Sequence, residues 1–236
     1  MHDSSCFVTL TFDDAHLDSP SLDYRLFQLF MKRVRKTFGP VRFYMCGEYG
    51  EQFGRPHFHA CLFGLDFEDK QFWKDLSSGS RLYVSPTLVR LWPHGFSSIG
   101  DVTFESAAYV ARYVMKKVNG PTAKQHYSHV DSDGVVTDLR PEFTRMSLKP
   151  GIGATWIKKF ISDVYTTDAC IVNGLAVKPP RFYDKYLSSF SPIDFESLEL
   201  SRYNKAIFNS ADNASSRLRV RELVTRSRLQ FKKRSL

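Results

Sequence analysis

The stretch 41–63 reads VRFYMCGEY (41–49), GEQFGRP (50–56) and HFHACLF (57–63). Two runs of apolar and aromatic strand formers flank a turn rich in glycine and charge, so the segment is expected to form a β-hairpin at the centre of a sheet. Upstream, CFVTLTF (6–12) sets Phe7, Val8, Leu10 and Phe12 among threonines and closes on Asp13 and Asp14, as a first strand would. Between these strands, Leu22, Leu26, Leu29, Phe30, Val34 and Phe38 make a helical stripe opposite Arg25, Lys32, Arg33 and Lys36, and Gly39-Pro40 stops it.

Downstream the pattern continues. Short helices are expected near 67–76 and 85–91, and a strand over 96–102. A helix over 104–118 follows, N-capped by Thr103 or Ser106 and ended by Asn119-Gly120-Pro121. A stretch poor in apolar residues, 122–140, reads as a mobile loop, and 154–165 as a helix. Val172-Asn173-Gly174-Leu175 carries the Asn-Gly signal of a type I′ hairpin, and helices are expected from about Pro180 onward. Strand, helix, hairpin, strand, helix is the order of an α+β fold. The expected architecture is a ferredoxin-like or RNA-recognition-like antiparallel sheet with helices packed on one face.

The 236 residues are 42% apolar and 25% charged, enough for one well-cored domain and an appendage. Residues 1–187 are assigned to the domain and 188–236 to a helical basic arm. Residues 217–236 hold eight basic residues against the single acid Glu222, whereas the rest of the chain holds 25 basic against 24 acidic. A near-neutral body with a cationic arm suits contact with phosphate, Leu218, Val220, Leu223, Val224, Leu229 and Phe231 offering the arm an apolar face. No stretch approaches about 18 uncharged apolar residues and the N-terminus lacks a secretory signal, so membrane and secreted readings drop out. Cys6, Cys46, Cys61 and Cys170 are widely spaced, which fits small buried hydrophobes in a reducing cytoplasm and no zinc knuckle.

Candidate chemistry centres on the hairpin. His57 and His59 lie two apart on one strand, so both rings face one way with Cα atoms roughly 6.6 Å apart. Such a pair alone is more often two ordinary histidines than a metal site. A turn around 51–54 would bring Glu48 to the same face, about 5 Å across the hairpin. Two imidazoles and a carboxylate leave coordination positions open for water and a phosphate oxygen, the arrangement a Lewis-acid site needs. Glu51 in the turn is the rival carboxylate, and Arg55 places a cation beside the cleft. On the later helix, YVARYVMKK (109–117) puts Tyr109, Tyr113 and Lys116 or Lys117 on one face, a turn apart. Spacing alone favours two amphipathic surface tyrosines; a nearby cation would make either phenol a nucleophile.

These motifs, in this order, resemble the HUH endonucleases, and among them the two-tyrosine rolling-circle replication initiators of microviruses. FVTLTF (7–12), GRPHFHACLFG (54–64) and YVARYVMKK carry the resemblance; CGEYGE (46–51), DVTFESAAYVARYV (101–114) and PGIG (150–153) look especially like the gokushovirus type. The resemblance covers about 7–184. It implies that His57, His59 and Glu48 hold Mg²⁺ or Mn²⁺, that Tyr109 or Tyr113 attacks single-stranded origin DNA, and that Lys116 stabilises the charge developed. The implied product is a 5′-phosphotyrosine with a free 3′-OH for rolling-circle synthesis, the second tyrosine serving to rejoin the strand. Arg55, Arg112, Lys117, Arg145 and Lys149 are candidate DNA contacts. No Gly-x-x-x-x-Gly-Lys-Ser/Thr motif is present, so the implied partners are a host helicase and DNA polymerase, in the cytoplasm of a bacterial host. Relatives of this type carry an extension ahead of the first motif, so a short form or an internal start is expected here.

Three other readings compete. A transposase or relaxase would share the superfamily, although a relaxase has its tyrosine ahead of the histidines. A single-strand-binding module would use the aromatics, 14% of the chain, as stacking surfaces and would not need His57. A phosphodiesterase using activated water would cut DNA without becoming attached to it.

Overall fold

The computed structural model describes residues 2–50, 54–76, 79–112, 117–130 and 133–231. The chain packs as two compact units that divide between Leu148 and Lys149. The division thus falls ahead of the boundary expected at 187/188. Lys149 belongs to the second unit, where 154–165 packs with the later helices.

The first unit is built on β1 (Ser5–Leu10), α1 (Tyr24–Phe38), β2 (Arg42–Tyr49), β3 (Pro56–Phe63), β4 (Gln71–Asp75), β5 (Arg81–Val84), α2 (Pro86–Leu91), β6 (Ser97–Asp101), α3 (Phe104–Arg112), α4 (Ala123–His126), β7 (Ser128–Val130), β8 (Val136–Asp138) and β9 (Phe143–Met146). Seven strands form one antiparallel sheet in the order β4-β5-β6-β1-β3-β2-β9, and β7-β8 is a separate hairpin. The α+β antiparallel fold is therefore as expected, and so are the central hairpin, first strand and first helix.

Strand alternation separates two cores. Val8 pairs with Ala60 and Ile99, and Met45 with Ala60; these residues bury against Phe27, Phe30, Met31 and Val34 of α1 and against Trp92. Asp23 caps α1 by accepting from the Arg25 N–H, and Gly39, at φ 83, ends it. On the opposite face, Phe7, Cys46 and Cys61 bury against Tyr109 and Val110 of α3. Helices thus cover both faces, α1 on one and α3 on the other, where a single covered face was expected. This second, smaller core holds the candidate site.

Several local expectations change. Residues 71–75 form strand β4, paired with β5 across a bulge at Trp73, in place of a helix over 67–76. Phe67 is buried in the core while Phe72 and Trp73 stay exposed, so one helical stripe never forms. The expected loop 122–140 contains α4 and the β7-β8 hairpin. Of the helix expected over 104–118, residues 104–112 are helical, 113–116 lie outside the described residues, and Lys117 and Val118 are not helical.

The second unit comprises α5 (Ala154–Lys159), α6 (Ile161–Tyr165), β10 (Cys170–Val172), β11 (Leu175–Val177), α7 (Arg181–Phe190), α8 (Pro192–Phe208) and α9 (Ser215–Phe231). The helix expected over 154–165 breaks at Phe160, whose φ of −119° is not helical. The β10-β11 turn is the expected type I′, with φ 50 at Asn173 and φ 77 at Gly174. Arg202 of α8 clamps Asp168 at 2.5 Å and Asp184 at 3.0 Å, and the Tyr165 hydroxyl donates to Asp184 at 2.9 Å. Helix α9 is exposed throughout, and its apolar residues gather on no single side, contrary to the face expected of the arm.

Candidate active site

β2 and β3 set the site. Their register pairs Glu48 with His57 and Cys46 with His59, so Glu48, His57 and His59 share the α3 face of the sheet. The turn that makes this register possible closes through Gly50 N–H to the Arg55 carbonyl at 2.9 Å and Gly54 N–H to the Gly50 carbonyl at 3.0 Å. Gly50 is required by proximity: a Cβ there would stand 2.9 Å from Cε1 of His57.

Glu48 Oε1 lies 2.7 Å from His59 Nε2, with both side chains buried. The other ring nitrogen of His59, Nδ1, is 3.0 Å from Thr9 Oγ1 on β1. His57 stacks beside His59 with ring centroids 6.4 Å apart. Its Nδ1 is buried without a hydrogen-bond partner among the described residues. Burial, with the neighbouring His59 charge adding to it, holds the His57 imidazole below the usual histidine range, so its nitrogen lone pair is available at neutral pH.

α3 completes the site from above the sheet. Tyr109 is buried, its ring edge-on to His59 at 5.2 Å and to Phe7 at 6.4 Å. Its hydroxyl donates to Glu48 Oε1 at 3.4 Å. One carboxylate oxygen therefore faces both an imidazole and a phenol. Tyr113, Lys116 and Glu51 lie outside the described residues.

The expected DNA contacts divide. Arg55 is held by Asp14 at 2.5 Å and by the Phe12 carbonyl at 2.9 Å, which ties the hairpin turn to the end of β1. Arg112 is half-buried at the last turn of α3, and Lys117 is exposed just beyond it. Arg145 pairs with Met45 and lies over Tyr24 and Phe143, so it stands on the α1 face, away from the histidines. Lys149 is exposed in the second unit.

Sequence reasoning did not assign two supports. Thr9 is visible only as an alternating strand residue. Tyr127 accepts from the Val118 N–H at 2.9 Å and donates to the buried Glu142 at 2.6 Å, which anchors the chain just past the YVARYVMKK segment. Burial and the Glu142 carboxylate push the Tyr127 phenol up to about 12. Tyr49, Gly50, Arg55, Pro56, Tyr127 and Glu142 line a cavity of about 450 Å³ beside the hairpin turn.

A divalent cation suits these residues in kind. Two imidazoles and a carboxylate converge on one face, and a buried imidazole nitrogen is left with a lone pair to give. In the geometry described, Glu48 is turned onto His59, and no group of three or more His, Cys, Asp or Glu side chains is spaced for a metal among the described residues. Binding would open the Glu48–His59 contact and leave the His59 proton on Nδ1, facing Thr9.

Comparison with known proteins follows the same residues. Residues 5–118 match the family described as Replication-associated protein ORF2. The chain is 31% identical over 202 residues to Replication-associated protein VP4 of Bdellovibrio phage phiMH2K, covering 81% of this chain and 60% of that one. It is 31% identical over 193 residues to Replication-associated protein ORF2 of Spiroplasma virus 4, covering 76% and 56%. It is 27% identical over 205 residues to Replication-associated protein ORF4 of Chlamydia phage 1, covering 83% and 49%. The chain thus spans about half to three-fifths of the length of these relatives. No solved structure matches it. No helix among the described residues is long and apolar enough to cross a membrane.

Proposed function

The chain belongs to the replication-associated proteins of microviruses, small single-stranded DNA phages, and from that premise we propose that it starts replication by nicking single-stranded origin DNA. The observation that carries this reading is Glu48 Oε1, 2.7 Å from His59 Nε2 and 3.4 Å from the Tyr109 hydroxyl. A nucleophilic phenol, a basic carboxylate and two imidazoles meet on one sheet face.

His57, His59 and Glu48 would hold Mg²⁺ or Mn²⁺, which when bound supplies positive charge to offset that on the scissile phosphate. Tyr109 or Tyr113 attacks phosphorus through its phenolic oxygen. The O–P bond to tyrosine forms, the P–O3′ bond breaks, and the departing oxygen takes up a proton to become the free 3′-OH. For Tyr109, Glu48 Oε1 is positioned to take the phenolic proton. Lys116 offsets charge developing on the phosphate oxygens. The phosphodiester energy stays in the tyrosine ester, so attack by a 3′-OH rejoins the strand without nucleotide hydrolysis. A host DNA polymerase would extend the 3′-OH and a host helicase would open the duplex.

The test is a denaturing gel of the protein with end-labelled single-stranded phage-origin DNA and Mn²⁺. Wild type should form a metal-dependent, protease-sensitive adduct on the 5′ side of the nick, and Tyr109→Phe with Tyr113→Phe together should abolish it. Cleavage with no adduct would make water the nucleophile and overturn the reading.

A further inference from the structure

Trp73 and Phe96 form an exposed aromatic pair. Their ring centroids are 4.7 Å apart, Trp73 is 42% and Phe96 47% exposed, and Lys74 Nζ lies 4.2 Å from the Trp73 centroid. Indole and phenyl surface side by side in water is costly unless something covers it.

The sheet register fixes where this pair sits. Thr9 pairs with His59 and with Ser98, so Ser98 lies on the histidine face, and Phe96, two residues earlier, falls on the same side. The Phe96 carbonyl accepts from both N–H and Oγ1 of Thr11, each at 2.9 Å. One further step of the β1-β3 register brings Thr11 opposite His57, two strands from Phe96, or about 10 Å. Phe72 instead meets Tyr83, which pairs with Ile99 of the α1-face core, and Trp73 at the bulge turns the other way.

We propose that Trp73 and Phe96 are a stacking platform for a base of single-stranded DNA, with Lys74 offering charge to the adjoining backbone. The inference rests on the reading that the histidine face binds the scissile phosphate, and it names where the strand continues. Two features choose this occupant. The platform is continuous with the phosphate site along one sheet face, and a cation at the aromatic edge complements a polyanion that also presents π-faces. Because every base has a π-face, the platform would hold the strand without reading its sequence.

The experiment measures binding of a short oligothymidine strand, and of the same strand with abasic sites in place of its bases, by the full chain and by Trp73→Ala, Phe96→Ala and Trp73→Phe. Trp73→Ala and Phe96→Ala should each weaken the oligothymidine complex about five- to a hundred-fold, while Trp73→Phe, which keeps a ring, stays near wild type. Wild type should bind the abasic strand no better than Trp73→Ala does. The proposal is overturned if wild type binds both strands equally, if it binds neither, or if the alanine variants keep wild-type affinity, the last pointing to a protein partner for this patch. The wild-type strand comparison requires no variant to fold. Adduct formation measured alongside separates the two claims. A platform effect without adduct sinks the initiator reading alone, and adduct with indifferent platform variants sinks the platform alone.

Discussion

His59 and Glu48 meet diagonally across the central hairpin: the backbone register pairs Glu48 with His57, yet its carboxylate lies 2.7 Å from His59 Nε2. The diagonal leaves His57 with a buried, unpartnered Nδ1 and binds both nitrogens of His59, one by Glu48 and one by Thr9. His59 is therefore the ring whose orientation is fixed, and His57 the one whose lone pair is open.

Thr9 should govern how well His59 ligates. With its proton on Nδ1 facing Thr9 Oγ1, His59 presents Nε2 as a lone pair to a cation. Thr9→Val keeps the shape and removes the acceptor, and is expected to weaken Mn²⁺ binding about 10- to 100-fold. A Mn²⁺ titration followed by electron paramagnetic resonance measures this, with Thr9→Ser restoring affinity. Unchanged affinity in the valine variant would show that His59 does not ligate through this arrangement.

Tyr127 should matter for stability and for positioning. Tyr127→Phe strips the Val118 N–H of its acceptor and Glu142 of its donor, so a loss of about 1–3 kcal/mol is expected in urea melts. Because Val118 directly follows the YVARYVMKK segment, the variant should also slow adduct formation at saturating DNA more than it weakens DNA binding. A variant that loses affinity alone would place Tyr127 in the DNA contact instead.

The parts legible in the sequence share a local cause. β1, β2, β3 and α1 declare themselves through period and turn chemistry, and His57, His59 and Glu48 follow once the hairpin is placed, since its register needs only a short turn. β4 was not legible because Phe67, Phe72, Trp73 and Leu76 suit a helix as well as a strand, and pairing with β5 decides between them. Thr9 reaches His59 across fifty residues, and Arg145 takes the α1 face only because β9 docks beside β2; neither contact leaves a mark on local spacing. The Arg202 clamp in the second unit is likewise a meeting of separated segments.

That clamp predicts acid sensitivity. Burial opposes ionisation of Asp184, but the Arg202 guanidinium and Tyr165 hydroxyl outweigh it and hold the carboxyl below its ordinary 3.8. A carboxyl whose folded value is depressed binds protons more readily when unfolded, so its contribution is complete above that ordinary value and disappears as pH falls through the folded one. The second unit should therefore lose stability below about pH 4. Arg202→Leu should remove that share of the acid dependence and destabilise the unit at neutral pH, read by urea melts at pH 7 and pH 3 using Trp156 fluorescence. An unchanged pH profile in Arg202→Leu would exclude the clamp as its source.

Gly95 offers the last test, because it sets Phe96 in place. Its φ is 153, and a Cβ built there would stand 2.5 Å from the Asp13 nitrogen and 2.7 Å from the Thr11 carbonyl oxygen. These are backbone atoms that cannot rotate aside, so Gly95→Ala must push the 94–96 segment off the end of β1. The hydrogen bonds from Thr11 to the Phe96 carbonyl and from the Asp13 N–H to the His94 carbonyl lie on that contact. A loss of more than about 1 kcal/mol is expected, with faster amide exchange at Thr11 and Asp13. Displacing Phe96 also separates it from Trp73, so oligothymidine binding should fall in parallel with Phe96→Ala. If Gly95→Ala keeps both stability and exchange protection, the close approach is not rigid, and Phe96 is not held against β1 by backbone packing.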